Sequence, residues 1–222
     1  MPKIKYICFD IGRVANVPLS QEEMICRGQN YFGADFSEQT LQKMVFPSLA
    51  GRDLWREFQN GKIGSEQYIE AAFQMVTIPS TSENKKIFHH LLKDWCGVAY
   101  HPVLNLVDTL NQNGHQTSIL SNNNEIMYHT PSADSLKRRV PVAISSHEIG
   151  VSKPHWEAYA ILLGKVNADA PQEVIFIDDK IKNIAAASSC GLQGIHFRSR
   201  EIGMDGAFAK LMEELRKKGI KI

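Results

Sequence analysis

VIFIDDKIKNIAAASSCG, residues 174–191, joins an apolar run, two adjacent carboxylates and a helical pattern without a break. Val174 to Ile177 lacks polar alternation, as in a strand covered on both faces of a parallel sheet. Asp178 and Asp179 then fall at its carboxyl end, and a helix is expected over Lys182 to Cys190. In open α/β sheets that edge is where ligands bind, because the loops there open into a crevice. An Asp-Asp pair can also simply start a turn, so the other strands must decide.

Working outward, Ile4 to Phe9 is a second short apolar run, and it too ends on a carboxylate, Asp10. Thr117 to Leu120 reads as a strand followed by Ser121 and Asn122. Val142 to Ser145 is followed by the stretch 146–154, which carries Lys153. Gly194 to Phe197 reads as a last strand. Helical patterns separate them: Val103, Leu106, Val107 and Leu110; His155 to Leu163; and a final helix carrying Met204, Ala207, Phe208, Leu211, Met212 and Leu215. Alternating strands and helices imply a parallel sheet with both faces covered. From about Ser20 to Trp95 the pattern is helical throughout, without strands, and capping boxes are expected at Ser20 with Glu23 and at Ser80 with Glu83. The chain is therefore expected to be α/β, a Rossmann-like parallel core of residues 1–16 and 97–222 with a helical insertion, 17–96, after the first strand.

Any one of these strand-end residues has a plain explanation, since Ser and Asn cap helices and Lys is usually solvated. Four clusters on one sheet edge do not. The ordered set Asp10, Ser121, Lys153 and Asp178-Asp179 resembles the four motifs of the haloacid dehalogenase superfamily. SHEIGVSKP fits its S-x-x-x-G-x-x-K-P form, and DDKIKNIAAASSCG fits D-D-x-x-x-N-x-x-x-A-x-x-x-G at every fixed position. The helical insertion resembles the mobile cap of the subgroup holding bacterial sugar phosphatases and the epoxide-hydrolase-associated phosphatase.

That resemblance implies a phosphatase acting on a small phosphorylated metabolite through an aspartyl-phosphate on Asp10, which splits hydrolysis into two steps. It implies Mg²⁺ held by Asp10, the Gly12 carbonyl and Asp179, with Asp178 close or acting through water. It implies Lys153 as a cation beside the nucleophile, Ser121, Asn122 and Lys153 on the phosphate, and Asn183 orienting the acidic pair.

Position 12 departs from the pattern, because phosphatases of this superfamily usually carry there a second aspartate that protonates the leaving oxygen. Such an acid contributes roughly 10²- to 10⁴-fold. An anomeric sugar phosphate, whose leaving oxygen is more acidic, is one substrate class that would suit Gly12. Arg13 is a second departure; a contact to a substrate anion and a surface salt bridge are both open readings. Two alternatives stand beside the phosphatase: a non-enzymatic protein binding a phosphorylated ligand or partner, and a 2-haloacid dehalogenase, against which the Asp178-Asp179 pair argues.

Composition narrows the partners. The 222 residues suffice for one sizeable core with an insertion, and 43% hydrophobic and 22% charged residues are those of a globular chain. A formal charge of +1 disfavours nucleic acid, and LRKKGIKI reads as a solvated helix end. Cys8, Cys26, Cys96 and Cys190 form no C-x-x-C pair, and with no leader or membrane-length apolar run expected, the reading is a cytoplasmic protein with reduced thiols. His89-His90 lies in an expected cap helix and His129, His147 and His155 flank the motif loops; none forms an i, i+4 ligand pair, and His147 or His155 could supply the missing proton transfer. Trp55 reads as a packing residue or as part of a sugar-binding face.

Overall fold

A computed structural model describes residues 3–222. Its centre is a five-stranded, wholly parallel sheet in the spatial order Val142–Ser145, Gln116–Ser121, Tyr6–Phe9, Val174–Asp178, Gln193–His196. The first strand in sequence thus lies in the middle, and chain order reverses across it. That reversal opens a crevice at the carboxyl edge.

Both faces of the sheet are covered, which is why its strands read as unbroken apolar runs. Ile7, Phe9, Ile119, Ile175 and Ile177 face the helix His101–Gln112 and the kinked helix Ser199–Lys217, packing on Val103, Val107, Leu211 and Leu215. Tyr6, Cys8, Leu120, Val174 and Phe176 face the other way, onto Ala158, Tyr159 and Leu162 of Trp156–Val166 and Ala187 of Ile181–Ser189. Adjacent residues of one strand therefore serve opposite cores, and a one-residue slip would exchange them.

Residues 21–95 carry five helices, Gln21–Phe32, Glu38–Val45, Leu54–Gln59, Ser65–Gln74 and Ser82–Trp95, around a separate core of Met24, Leu41, Met44, Phe58, Tyr68, Phe88 and Leu91. The Phe58 and Tyr68 rings stack at 4.4 Å. A two-residue antiparallel ribbon, Asn16–Val17 with Val98–Ala99, joins the two parts, and Asn16 Nδ2 donates to the Cys96 carbonyl at 2.8 Å.

Two expectations for this region need correction. It is not free of strands: Ser48–Leu49 pairs with Arg52–Asp53 across Ala50 and Gly51, both left-handed at φ 51° and 76°. Strands of two residues are too short to leave a period in the sequence. The helix expected to be boxed at Ser80 is instead capped one residue later, by Thr81 Oγ1 accepting from Asn84 N–H at 3.1 Å, while Ser80 turns to Glu70. The box expected at Ser20 and Glu23 is present.

The helical part rests on the sheet's carboxyl edge. The Ser146 hydroxyl lies 2.6 Å from the Gln59 carbonyl, Glu125 accepts from the Ser65 N–H, and Ile126 inserts into the helical core. Gly61 allows the closest approach: its φ is 64°, and a Cβ there would stand 2.2 Å from the His147 carbonyl oxygen.

Candidate active site

The register puts Phe9 level with Ile119 and Ile177, so Asp10 leaves the sheet beside Leu120 and Asp178. Asp10 is buried; its N–H donates to the Ile177 carbonyl, and its Oδ1 accepts from Ile11 N–H at 2.8 Å. The chain then turns tightly, with the amides of Val14, Ala15 and Asn16 all directed at the Ile11 carbonyl. Arg13, inside that turn, is held at φ 58°, a conformation uncommon for a non-glycine residue.

Lys153 lies at the centre of the cluster, its side chain wholly buried. Its ammonium is 2.7 Å from Asp178 Oδ2, 3.2 Å from Asp10 Oδ1 and 2.6 Å from the Leu120 carbonyl. Burial alone would pull its pKa down, but Asp10 and Asp178 more than reverse this, and the ammonium is held well above lysine's usual value. For Asp10 burial wins: the carboxyl is pushed up to about 6, with Lys153 opposing and the charges of Asp178 and Asp179 adding to the shift.

The two adjacent aspartates are treated differently. Asp178 is saturated, its oxygens accepting from Lys180 N–H, both from Asn183 Nδ2 and one from Lys153. Asp179 Oδ2 pairs with Arg200 Nε at 2.7 Å, while its Oδ1 is buried with no hydrogen-bond partner. Oxygens of Asp10, Asp178 and Asp179 lie within 4.8 Å of one another. A buried, unpartnered carboxylate oxygen next to two more carboxylates is a donor set suited to a hard divalent cation. The Gly12 carbonyl, two residues after Asp10 on an exposed turn, accepts from no N–H among the described residues.

Other expected residues have more specific surroundings. Ser121 is buried beside Asp10 and works to lower its pKa. Asn122 has both ends of its carboxamide on the Lys153 backbone, accepting from Lys153 N–H at 2.8 Å and donating to its carbonyl at 2.7 Å. A phosphate contact from that carboxamide would compete with this clamp, so its visible task is to fix the Lys153 loop to the sheet. Asn183 orients Asp178 alone, not the acidic pair. His147 Nδ1 is 2.6 Å from Ser145 Oγ and its ring packs on Tyr128, while His129 and His155 are exposed; none hydrogen-bonds the three aspartates. Trp55 packs among Phe46, Tyr68 and Trp95.

Sequence reasoning missed Arg200 on Asp179, and His196, whose Nε2 lies 3.1 Å from the Asp179 carbonyl oxygen. A signal existed: the cations of RSRE follow the last strand after a single intervening residue, at the edge where the other clusters gather.

A family model for haloacid dehalogenase-like hydrolases matches residues 20–191. Mouse acyl-CoA dehydrogenase family member 10 is 26% identical over 147 aligned residues, an alignment that covers 64% of this chain but only 13% of that protein's length. A haloacid dehalogenase family enzyme of Bacteroides thetaiotaomicron, solved in complex with magnesium and inorganic phosphate, superposes with a TM-score of 0.69 at 19% identity, covering 87% of this chain and 93% of that one. A predicted hydrolase of the same kind from Porphyromonas gingivalis gives 0.69 at 21% identity, covering 88% and 91%. At such identities these two likenesses bear on the fold. Among the described residues no helix is long and apolar enough to cross a membrane.

Proposed function

The chain belongs to the haloacid dehalogenase-like hydrolases, and on that footing we propose that it is a Mg²⁺-dependent phosphatase of a small phosphorylated metabolite, working through an aspartyl-phosphate on Asp10. The observation that carries this reading is the unpartnered Asp179 Oδ1, buried beside Asp10 in a cluster whose three carboxylates outnumber its two cations, Lys153 and Arg200. A 2-haloacid dehalogenase, which also attacks with an aspartate, has no use for that third carboxylate. The Bacteroides thetaiotaomicron enzyme, which holds magnesium and phosphate on a similar fold, adds support. In this reading residues 17–96 act as a cap that selects the substrate.

Mg²⁺ would be held by Asp10, Asp179 and the Gly12 carbonyl, with Asp178 adjoining, and when bound it supplies the charge neutralisation that lets a carboxylate approach a phosphate dianion. Asp10 Oδ1 is fixed by Ile11 N–H and Lys153, which leaves Oδ2 to attack phosphorus. The bond from phosphorus to the ester oxygen breaks as that from Oδ2 forms. Lys153 holds positive charge against the transferring group at any pH near neutrality, because both aspartates keep it protonated. Gly12 offers no proton, so the leaving oxygen takes one from water or departs as a stable anion; sugar 1-phosphates belong to the second class. Water then attacks phosphorus, the Asp10–phosphorus linkage breaks, and phosphate leaves with the carboxylate restored.

A panel of sugar 1-phosphates, sugar 6-phosphates and alkyl phosphates, assayed with Mg²⁺ and with EDTA, tests the proposal. Phosphate release that requires Mg²⁺ and vanishes in Asp10→Asn is expected. Metal-independent halide release from a 2-haloacid would replace the reading with the dehalogenase, and phosphate-ligand binding without turnover would replace it with a non-enzymatic role.

A further inference from the structure

Arg13 is the residue in the nucleophile turn that the proposed chemistry does not use. Its backbone is locked: its N–H donates to Asn16 Oδ1 at 2.9 Å, and its carbonyl accepts from the Ser199 hydroxyl at 2.8 Å. Holding a non-glycine residue at φ 58° costs free energy, and such strain persists where the surroundings over-determine it. What the lock achieves is aim. The half-buried side chain lines a cavity of about 140 Å³ between sheet edge and helices, together with Met24, Leu41, Val45, Phe46 and Trp95. Gln21 and Gln42 are the polar residues there.

A guanidinium in such a setting calls for an anion, and the described residues supply none. No carboxylate forms an ion pair with Arg13 among the described residues, although its side chain stands in a cavity whose other walls are mostly apolar. Asp179 is already paired with Arg200. Leaving a desolvated charge uncompensated is unfavourable, and the planar fork of arginine matches a carboxylate with two parallel hydrogen bonds.

We infer that Arg13 is a specificity-determining residue that binds a carboxylate carried by the substrate's leaving group, so that the preferred substrates are phosphate monoesters with a second, carboxylate end. The inference rests on the phosphatase reading for its reaction, and on Arg13 and its cavity for the substrate class. The cavity has room for a carboxylate on a short carbon chain, its apolar walls taking the methylenes, with Gln21 and Gln42 among its lining residues.

Binding of non-hydrolysable phosphonates separates the two claims. Phosphonoacetate, 3-phosphonopropionate and 4-phosphonobutyrate, each against the alcohol with CH₂OH in place of the carboxylate, are titrated calorimetrically into the full chain with Mg²⁺. At least one carboxylate should bind about tenfold tighter or more than its alcohol, the worth of a charge-assisted pair. Arg13→Gly should bring the ratio of the two Kd values within each pair to about one and keep Tm at or above wild type, because glycine adopts this φ freely. Equal Kd values within every pair, or a preference that survives Arg13→Gly, overturn the inference even if the protein turns over phosphate esters. A carboxylate preference that Arg13→Gly erases, in a protein that hydrolyses no phosphate ester, supports the subsite and counts against the phosphatase reading alone.

Discussion

Replacing Lys153 by Met keeps most of the side-chain volume and removes one charge. What it leaves can be worked out from the site. Lys153 Nζ touches Asp178 Oδ2 at 2.7 Å, Asp10 Oδ1 at 3.2 Å and the Leu120 carbonyl at 2.6 Å, with the side chain fully buried. Asp178 would keep Asn183 and Lys180 N–H, and Asp10 would keep Ile11 N–H, but the cation between the two carboxylates would be gone. Removing one member of a buried ion pair costs about 3–5 kcal/mol. For a chain of this size that is a fall in Tm of about 6–20 °C. Turnover should be lost as well, so stability and activity drop together. The sign of the pH effect follows from Asp10, whose folded pKa of about 6 lies above its ordinary 3.8. An acid raised in the folded state binds its proton more readily there, so stability falls as pH rises between the two values. Losing Lys153 moves the upper value higher still and widens that window. Urea denaturation in EDTA should therefore show a smaller deficit for Lys153→Met at pH 5 than at pH 8, and Mg²⁺ should recover part of it. A deficit below about 1 kcal/mol, as for an exposed pair, or one that does not change with pH, would refute this account of the cluster.

Three other substitutions address neighbouring parts. Gly12→Asp should fold normally, since its Cβ would meet nothing within 4 Å and its φ lies outside the left-handed range. Its turnover should rise about tenfold or more for alkyl phosphates and little for good leaving groups, read from a leaving-group series in both forms. Gly61→Ala places a Cβ against the His147 carbonyl at a positive φ; a loss of about 1–3 kcal/mol in urea unfolding and faster limited proteolysis of residues 17–96 are expected, and unchanged values would show that the two parts do not meet there. Arg200→Ala frees Asp179 Oδ2 from a half-exposed ion pair, so Mg²⁺ should bind about two- to fivefold tighter by calorimetry; weaker binding would mean that Arg200 orients Asp179 for the metal instead of competing with it.

The fold was legible because its strands obey a rule that leaves a mark. Val174–Asp178 and Tyr6–Phe9 are covered on both faces, so polar residues are excluded until the edge, where Asp10, Asp178 and Asp179 mark the strand ends. Asp10, Lys153, Asp178 and Asp179, read from three separate segments, meet at the distances given above. Less legible were features set by one backbone angle or one partner far off in sequence. The turn at Ala50-Gly51 depends on two left-handed residues, and the Thr81 cap differs from a Ser80 cap by a single position. Which aspartate keeps a free oxygen depends on Arg200, 21 residues on, and on Asn183 choosing Asp178. Arg13 looked anomalous in sequence, but only the cavity it lines, with no ion pair to it among the described residues, gives the anomaly a chemical direction.

The most direct test of the account is to trap the covalent intermediate. Protein quenched during turnover of its best phosphate ester is treated with borohydride, which reduces an aspartyl-phosphate to homoserine, and the modified position is read by peptide mapping. Conversion at Asp10 alone, requiring both substrate and Mg²⁺ and absent in Asp10→Asn, is the predicted result. Phosphate release that continues at the wild-type rate in Asp10→Asn, or conversion at a different aspartate, would contradict it.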